Sequence, residues 1–365
     1  MLGLYFHIPF CASKCSYCDF YSFPGTDAQM DRYTAALCQS IKTFPPEPAD
    51  TVYFGGGTPS LLGGARLTAI LNAAREHFQL TRDAEITVEC NPDSMNAAFL
   101  SALRTAGVNR LSIGIQSAHA DELRLLGRRH TFRQAQEAIL LAKEYGFDNL
   151  AVDLMCGLPG QTTEKLMYSL EQVLALHPAH LSCYGLKLEE GTPLFRTQPD
   201  LPDDDTQAEA WEALCSRLAS AGFLHYEISN FCKPGRRSRH NSKYWDLSEY
   251  LGLGAAAHSF YRGERFAFPR DAGAFIGGVQ PIPEEAVSGF NAREEYLMLR
   301  LRTSEGISRA DYERRFGDFY PIFQTLRALE PHGLTLCSAS ACRLSERGFL
   351  ISNAIIRLLL QTIHS

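Results

Sequence analysis

What the chain lacks narrows its possible roles first. No apolar run in its 365 residues approaches the roughly twenty that a membrane-spanning helix needs. Basic charge is not in excess: 35 Lys and Arg stand against 41 Asp and Glu, a formal net charge of −6, whereas a nucleic-acid binder normally presents a basic surface. The opening residues Met1-Leu2-Gly3-Leu4-Tyr5 carry no charged leader and no long apolar segment, so a cleaved signal peptide is not expected. Low-complexity tracts and long-period repeats are missing too. Eleven cysteines are too dilute for a disulfide scaffold, and Cys38, Cys90, Cys156, Cys183, Cys215, Cys232, Cys337 and Cys342 fall into no regular pairing. These absences lead us to expect a protein of the reducing cytoplasm, with at most a peripheral membrane contact, as a monomer or dimer. Those eight cysteines then read as small buried hydrophobes.

The other three cysteines are bunched in Cys11-Ala12-Ser13-Lys14-Cys15-Ser16-Tyr17-Cys18. A helix would spread their sulfurs over about 10 Å along its axis, so convergence on one metal requires a loop. Pro9 and the strand-like residues before it favour that loop. A four-iron cluster takes four thiolates, and three leave one iron open to an outside ligand. Two alternatives stay open on spacing alone: three reduced buried cysteines, or a zinc site with His7 as fourth ligand.

With 45% hydrophobic residues the chain can bury a large core. Strand-length apolar runs at 2–6, 51–54, 85–89, 110–115, 150–155 and 180–185 alternate with amphipathic stretches at 28–41, 66–78, 97–106, 132–145, 164–176 and 206–221. Six βα units in a row imply a parallel sheet, and the absence of a seventh and eighth of the same spacing suggests an incomplete barrel, a partial (β/α)6 α/β fold. One further strand is expected at 224–229. We therefore divide the chain into a barrel over 1–230, a connecting segment over 231–287 and a small α+β domain over 288–365, with the break at 281–288. In the last part, helices are expected at 293–302, 309–316 and 346–360 and a β-ribbon at 335–345.

Chemistry-bearing residues gather at the expected strand ends, where parallel sheets place their sites. Gly55-Gly56-Gly57-Thr58-Pro59-Ser60 follows the second strand and strips Cβ atoms from a loop that a ligand could approach, or is merely a flexible turn. It lacks the P-loop lysine. Glu89 and Gln116 end the third and fourth strands, and Arg128, with Arg129 as competitor, could pair with a carboxylate. Asp153 is an acid within an apolar strand, a placement that demands a partner or a ligand. Further on, His240-Asn241-Ser242-Lys243-Tyr244-Trp245 follows Arg236, Arg237 and Arg239, so rings and guanidiniums could grip a flat ligand bearing carboxylates, as heme does. The bland reading is a solvated basic loop with aromatic anchors. Gly252-Leu253-Gly254-Ala255-Ala256-Ala257-His258 is a small-residue turn suited to close backbone approach.

The Cys-x3-Cys-x2-Cys motif, with Tyr5-Phe6-His7-Ile8-Pro9-Phe10 ahead of it, resembles the radical S-adenosylmethionine (radical SAM) superfamily. More narrowly it resembles the branch of oxygen-independent coproporphyrinogen dehydrogenases and their HemW-type relatives. Matches at 181–194, at Glu227-Ile228-Ser229-Asn230 and at 240–245 extend the likeness over nearly the whole chain. The resemblance implies a partial barrel with a winged-helix-like tail and a [4Fe-4S] cluster on Cys11, Cys15 and Cys18. It places S-adenosylmethionine (SAM) at Tyr5, Tyr17, Gly56, Gly57, Thr58, Glu89, Gln116, Arg128, Asp153 and the backbone near Lys187, and heme at His240, Tyr244 and Trp245. A reduced cluster would cleave the cofactor's C–S bond, with an electron donor such as flavodoxin or ferredoxin. Two functions follow: a heme chaperone serving acceptor hemoproteins, or a coproporphyrinogen III decarboxylase. The decarboxylases carry a further cysteine where this chain has Phe20, which favours the chaperone. One departure from relatives is Gly254-Ala255-Ala256-Ala257-His258-Ser259, where they usually show Gly-Pro-Gly-Ala-His-Ser.

Overall fold

The structure is a computed structural model that describes residues 1–283 and 289–364. Six parallel strands lie side by side in chain order: β1 (Leu2–Ile8), β2 (Pro48–Gly56), β3 (Gln79–Cys90), β4 (Arg110–Gln116), β5 (Leu150–Cys156) and β6 (His180–Gly185). Their crossover helices are Asp27–Ile41, Gly64–His77, Ala97–Thr105, Phe132–Glu144 and Thr163–Leu174, and Asp204–Ser220 follows β6. Thr26, Asn96, Thr131, Thr162 and Asp203 each accept the backbone N–H three residues on, so short polar side chains start five of these helices. Every residue of β4 is buried, as expected of a strand covered on both faces.

The sheet is extended at both edges: on one side the strand expected at 224–229 is found as the first strand of a hairpin, and on the other the stretch 250–283, expected to be part of a connection, supplies four strands. A hairpin of β7 (Leu224–Glu227) and β8 (Asn230–Cys232) joins β6 antiparallel. On the far side β9 (Tyr250–Leu253) runs parallel to β1, followed by antiparallel β10 (His258–Tyr261), β11 (Glu264–Ala267) and β12 (Ile282–Pro283). Composition hid β9 because its end falls in 252–258, which reads as a small-residue turn; Gly252 there serves backbone contact, since a Cβ on it would lie 2.2 Å from the His258 oxygen. The expected boundary at 281–288 falls largely on 284–288, outside the described residues.

Beyond it, helices Gly289–Arg300, Arg309–Phe316 and Tyr320–Arg327 pack with the sheet β13 (Ile307–Ser308), β15 (Ala341–Leu344), β14 (Thr335–Cys337) around a second core that includes Tyr296, Tyr312 and Leu359. The single helix expected at 346–360 is two, Glu346–Leu350 and Ser352–His364, broken at Ile351. This tail is stitched to the barrel by backbone bonds from Ile228 N to Arg302 O (2.9 Å) and from Ser304 N to Tyr226 O (3.0 Å). Among the described residues no helix is long and apolar enough to cross a membrane.

Candidate metal and cofactor site

Strand register layers the barrel interior. Thr51 pairs with Glu85 near the strand starts, Tyr5 with Tyr53 and Tyr53 with Thr87 one step up, then Glu89 with Ser112 and Gly114 with Asp153 near the ends. Over those ends lies a cavity of about 540 Å³. It collects Cys11, Cys15, Tyr17, Cys18, Gly56, Gly57, Thr58, Glu89, Gln116, Arg128, Asp153 and Lys187 from across the sequence. Of the residues assigned to the cofactor, only Tyr5 stands behind the wall. Its ring stacks on Tyr53 at 6.2 Å and its hydroxyl meets His7 Nδ1 at 3.1 Å.

The three cysteines sit on the loop after β1, outside helix and strand. That loop is held to its neighbours by Ser16 N to Leu126 O (3.0 Å), Cys11 N to Phe23 O (3.0 Å) and Thr58 N to Phe10 O (2.8 Å). Burial pushes the Cys18 thiol pKa up, and Cys15 and Cys11 push it the same way. Thiolates that oppose one another's ionisation are what a cationic iron cluster relieves, so the donor set fits the cluster. The zinc alternative fails on His7, both of whose ring nitrogens are engaged: its Nε2 meets the Tyr21 carbonyl at 2.9 Å and its Nδ1 meets the Tyr5 hydroxyl at 3.1 Å. All eleven cysteines are free, and Cys90, although it borders the cavity, turns its Sγ to the Val88 carbonyl at 3.6 Å.

Gly56 and Gly57 form the edge between cysteines and strands. Gly56 has φ 107°, and a Cβ there would lie 2.6 Å from the His7 ring. Opposite, Arg128 Nη2 donates to the Gly114 carbonyl at 2.6 Å and to Asn91 Oδ1 at 2.9 Å, while Nη1 approaches Cys15 Sγ at 3.6 Å. Its buried Nε has no partner among the described residues, a donor available to an anionic ligand group. Arg129 instead pairs with Asp93 at 3.7 Å and is not among the residues lining this cavity. Gln116 holds φ 73° where β4 slips register against β5, a strained bulge that turns the strand end toward the cavity.

Two carboxyls face the cavity from below. Burial pushes Glu89 up to about 7, against the pull of a 2.7 Å hydrogen bond from the Tyr53 hydroxyl. Burial likewise pushes Asp153 up to about 6, against hydrogen bonding from Ser182 and the charge of Arg110. Such a pair favours a cationic guest, because ligand charge returns the energy of ionising them. Lys187 reaches outward to Glu189 at 2.8 Å, leaving its backbone as its share of the rim. Sequence reasoning missed Tyr53, Asn91, Ser112 and Tyr184. Strand alternation from Thr51 through Tyr53 to Gly55 was the available signal for the first.

The expected heme residues lie elsewhere. His240, in the first turn of helix Arg239–Asp246, is completely buried. Its Nδ1 meets Thr51 Oγ1 at 2.8 Å and its Nε2 meets the Tyr244 hydroxyl at 3.0 Å, so neither nitrogen is open to a metal in this conformation. Burial pushes its pKa down to about 3. The expected propionate partners are engaged as well: Arg236 with Asp148, Arg237 with Glu305, and Arg239 with Asp50 and Asp83. Tyr244 and Trp245 are half-buried at the helix end.

Residues 5–173 match the family described as the Radical SAM superfamily, and residues 288–351 match the HemN C-terminal domain. The protein named heme chaperone HemW of Lactococcus lactis is 34% identical over 360 residues, covering 96% of this chain and 95% of that one. The chain belongs to the HemW family. A second protein of that name, from Escherichia coli, is 35% identical and covers 98% of each chain. The Bos taurus protein named radical S-adenosyl methionine domain-containing protein 1, mitochondrial, is 34% identical, over 98% of this chain and 87% of its own. Among solved structures, the coproporphyrinogen III oxidase HemN of Escherichia coli aligns with a TM-score of 0.84 at 23% identity, covering 99% of this chain and 89% of that one. This chain and HemN thus share a fold. Radical SAM membership implies a [4Fe-4S] cluster and SAM, the two groups that the thiols and the glycine-edged cavity fit.

Proposed function

We propose that this protein is a heme chaperone that binds a [4Fe-4S] cluster, SAM and heme and passes heme to acceptor hemoproteins. The observation that carries this over the decarboxylase reading is Phe20, 68% exposed at the cavity rim, where the decarboxylases place a further cysteine. End-to-end kinship with proteins named heme chaperone supports the same choice. Cys11, Cys15 and Cys18 hold the cluster. Gly56, Gly57 and Thr58 present backbone to the methionine end of SAM, Arg128 meets its carboxylate, Glu89 its ammonium, and Asp153 and Gln116 its nucleoside. When bound, the reduced cluster supplies the electron that SAM cleavage requires, drawn from an external donor of the flavodoxin or ferredoxin class. Tyr244 and Trp245 offer the partly accessible edge for heme, and ligation by His240 requires its helix to leave the barrel floor.

The test is anaerobic. Reconstituted protein with SAM and coproporphyrinogen III is expected to yield no protoporphyrinogen IX, and titrated heme is expected to bind and to load an apo-hemoprotein acceptor. Product formation would refute the chaperone as the main function. Equal heme affinity in wild type and His240→Ala would remove His240 as the anchor.

A further inference from the structure

The contacts of His240 lead toward the cofactor cavity. Its ring stacks on Tyr53 at 5.2 Å and 26°, and the Tyr53 hydroxyl holds Glu89 Oε1 at 2.7 Å. Gly55 leaves room for that contact, since a Cβ there would lie 3.0 Å from the Tyr53 ring and 3.1 Å from Glu89 Oε1. Beneath, the helix is clamped at the strand starts. Glu85 accepts the backbone N–H of His240 at 3.0 Å and of Arg239 at 3.1 Å, and Lys243 pairs with Asp50 at 2.8 Å. The helix Arg239–Asp246 therefore closes the lower end of the barrel, two residue layers under the cavity.

We propose that His240 is a positioning residue for the SAM pocket: its ring backs Tyr53, which holds Glu89 toward the cofactor, so this helix sets SAM affinity from below. The inference rests on the reading that the cavity takes SAM. It gives the motif a role that does not depend on heme ligation.

The pH profile separates positioning from general scaffolding. Glu89 is faced by Tyr53 from β2, Asp153 from β5, Arg110 from β4, Tyr5 from β1, Tyr184 from β6 and Tyr244 from the helix. A cationic ligand binds more tightly as Glu89 and Asp153 ionise, so wild-type SAM affinity rises with pH through the range of their titration. The Tyr53 bond lowers the Glu89 pKa, so losing it moves the midpoint of that rise upward.

The experiment measures SAM dissociation constants by calorimetry on cluster-loaded protein from about pH 5.5 to 8.5, a range that brackets both titrations. Tyr53→Phe and His240→Ala are expected to bind SAM about tenfold more weakly near neutrality, with the midpoint shifted up. His240→Phe, which keeps a ring against Tyr53, is expected to retain both wild-type affinity and midpoint. Wild-type behaviour of His240→Ala overturns the proposal, and so does a loss in His240→Phe equal to that in His240→Ala. Should His240→Ala fail to fold, a wild-type midpoint in Tyr53→Phe overturns it instead. Absence of SAM binding by the wild type at every pH is a different result, which defeats the cofactor reading itself.

Discussion

One methyl group at Gly57 tests the site sharply. A Cβ there would stand 2.8 Å from the Phe10 carbonyl oxygen, 2.9 Å from that of Ile8 and 3.1 Å from Cys11 Sγ. Neither carbonyl can swing away, because each accepts a 2.8 Å bond, from Thr58 N and Gly57 N respectively. Overpacking against such neighbours costs about 1–3 kcal/mol. For a chain of this length, that lowers the melting temperature by about 1–4 °C. The sulfur matters more. The contact with Cys11 is roughly half an ångström inside a comfortable separation, while metal-ligand distances tolerate about 0.2 Å. Gly57→Ala is therefore expected to retain less than about half the wild-type iron after anaerobic reconstitution and desalting, with a matching loss of brown absorbance. Gly185→Ala is the control: it borders the same cavity, and a Cβ there meets nothing within 4 Å. Full iron loading in Gly57→Ala, with unchanged melting, would show that the cysteine loop does not depend on this contact.

Ala256 holds φ 64°, which an alanine tolerates poorly, so Ala256→Gly is expected to stabilise the protein by about 0.5–1 kcal/mol in urea unfolding; a destabilised variant contradicts the strain. Ala255→Pro removes the N–H that donates to the Tyr33 hydroxyl at 2.8 Å and is expected to cost about 1 kcal/mol or more in the same assay. Arg128→Lys cannot reproduce the fork that reaches Gly114 and Asn91, and at least a tenfold loss of SAM affinity is expected on the order of one charged hydrogen bond; wild-type binding would remove Arg128 from the site. In cluster-free protein, the folded chain holds the Glu89 proton up to about pH 7, against about 4.5 for an ordinary glutamate. The stability this contributes is full below the unfolded value and is lost as pH rises through the folded one. Glu89→Gln should flatten that fall by up to about 1.4 kcal/mol per pH unit, and an unchanged slope from urea melts between these values means Glu89 is already ionised.

The parallel core was legible because its signals are local. The expected helix at 132–145 is observed at Phe132–Glu144, where Thr131 provides the cap and the apolar period the buried face. The strand expected at 180–185 is His180–Gly185. Strand β9 was not legible, because Gly252 and its neighbours were placed by the need for backbone contact rather than by apolar alternation. Cysteine spacing announced a metal loop, yet only the packing of His7 between Tyr5 and Tyr21 ruled out the zinc alternative.

Chain order alone therefore specified the six βα units and that three thiols and a glycine edge follow the first two strands, since period, caps and spacing act over a few residues. Tertiary structure decided which of these residues meet. Register placed Tyr53 between His240 and Glu89, and it buried the histidine that the motif offered as a heme ligand. The reason is physical: whether an imidazole is open or occupied depends on Thr51 and Tyr244, and one of these lies 189 residues away in the chain.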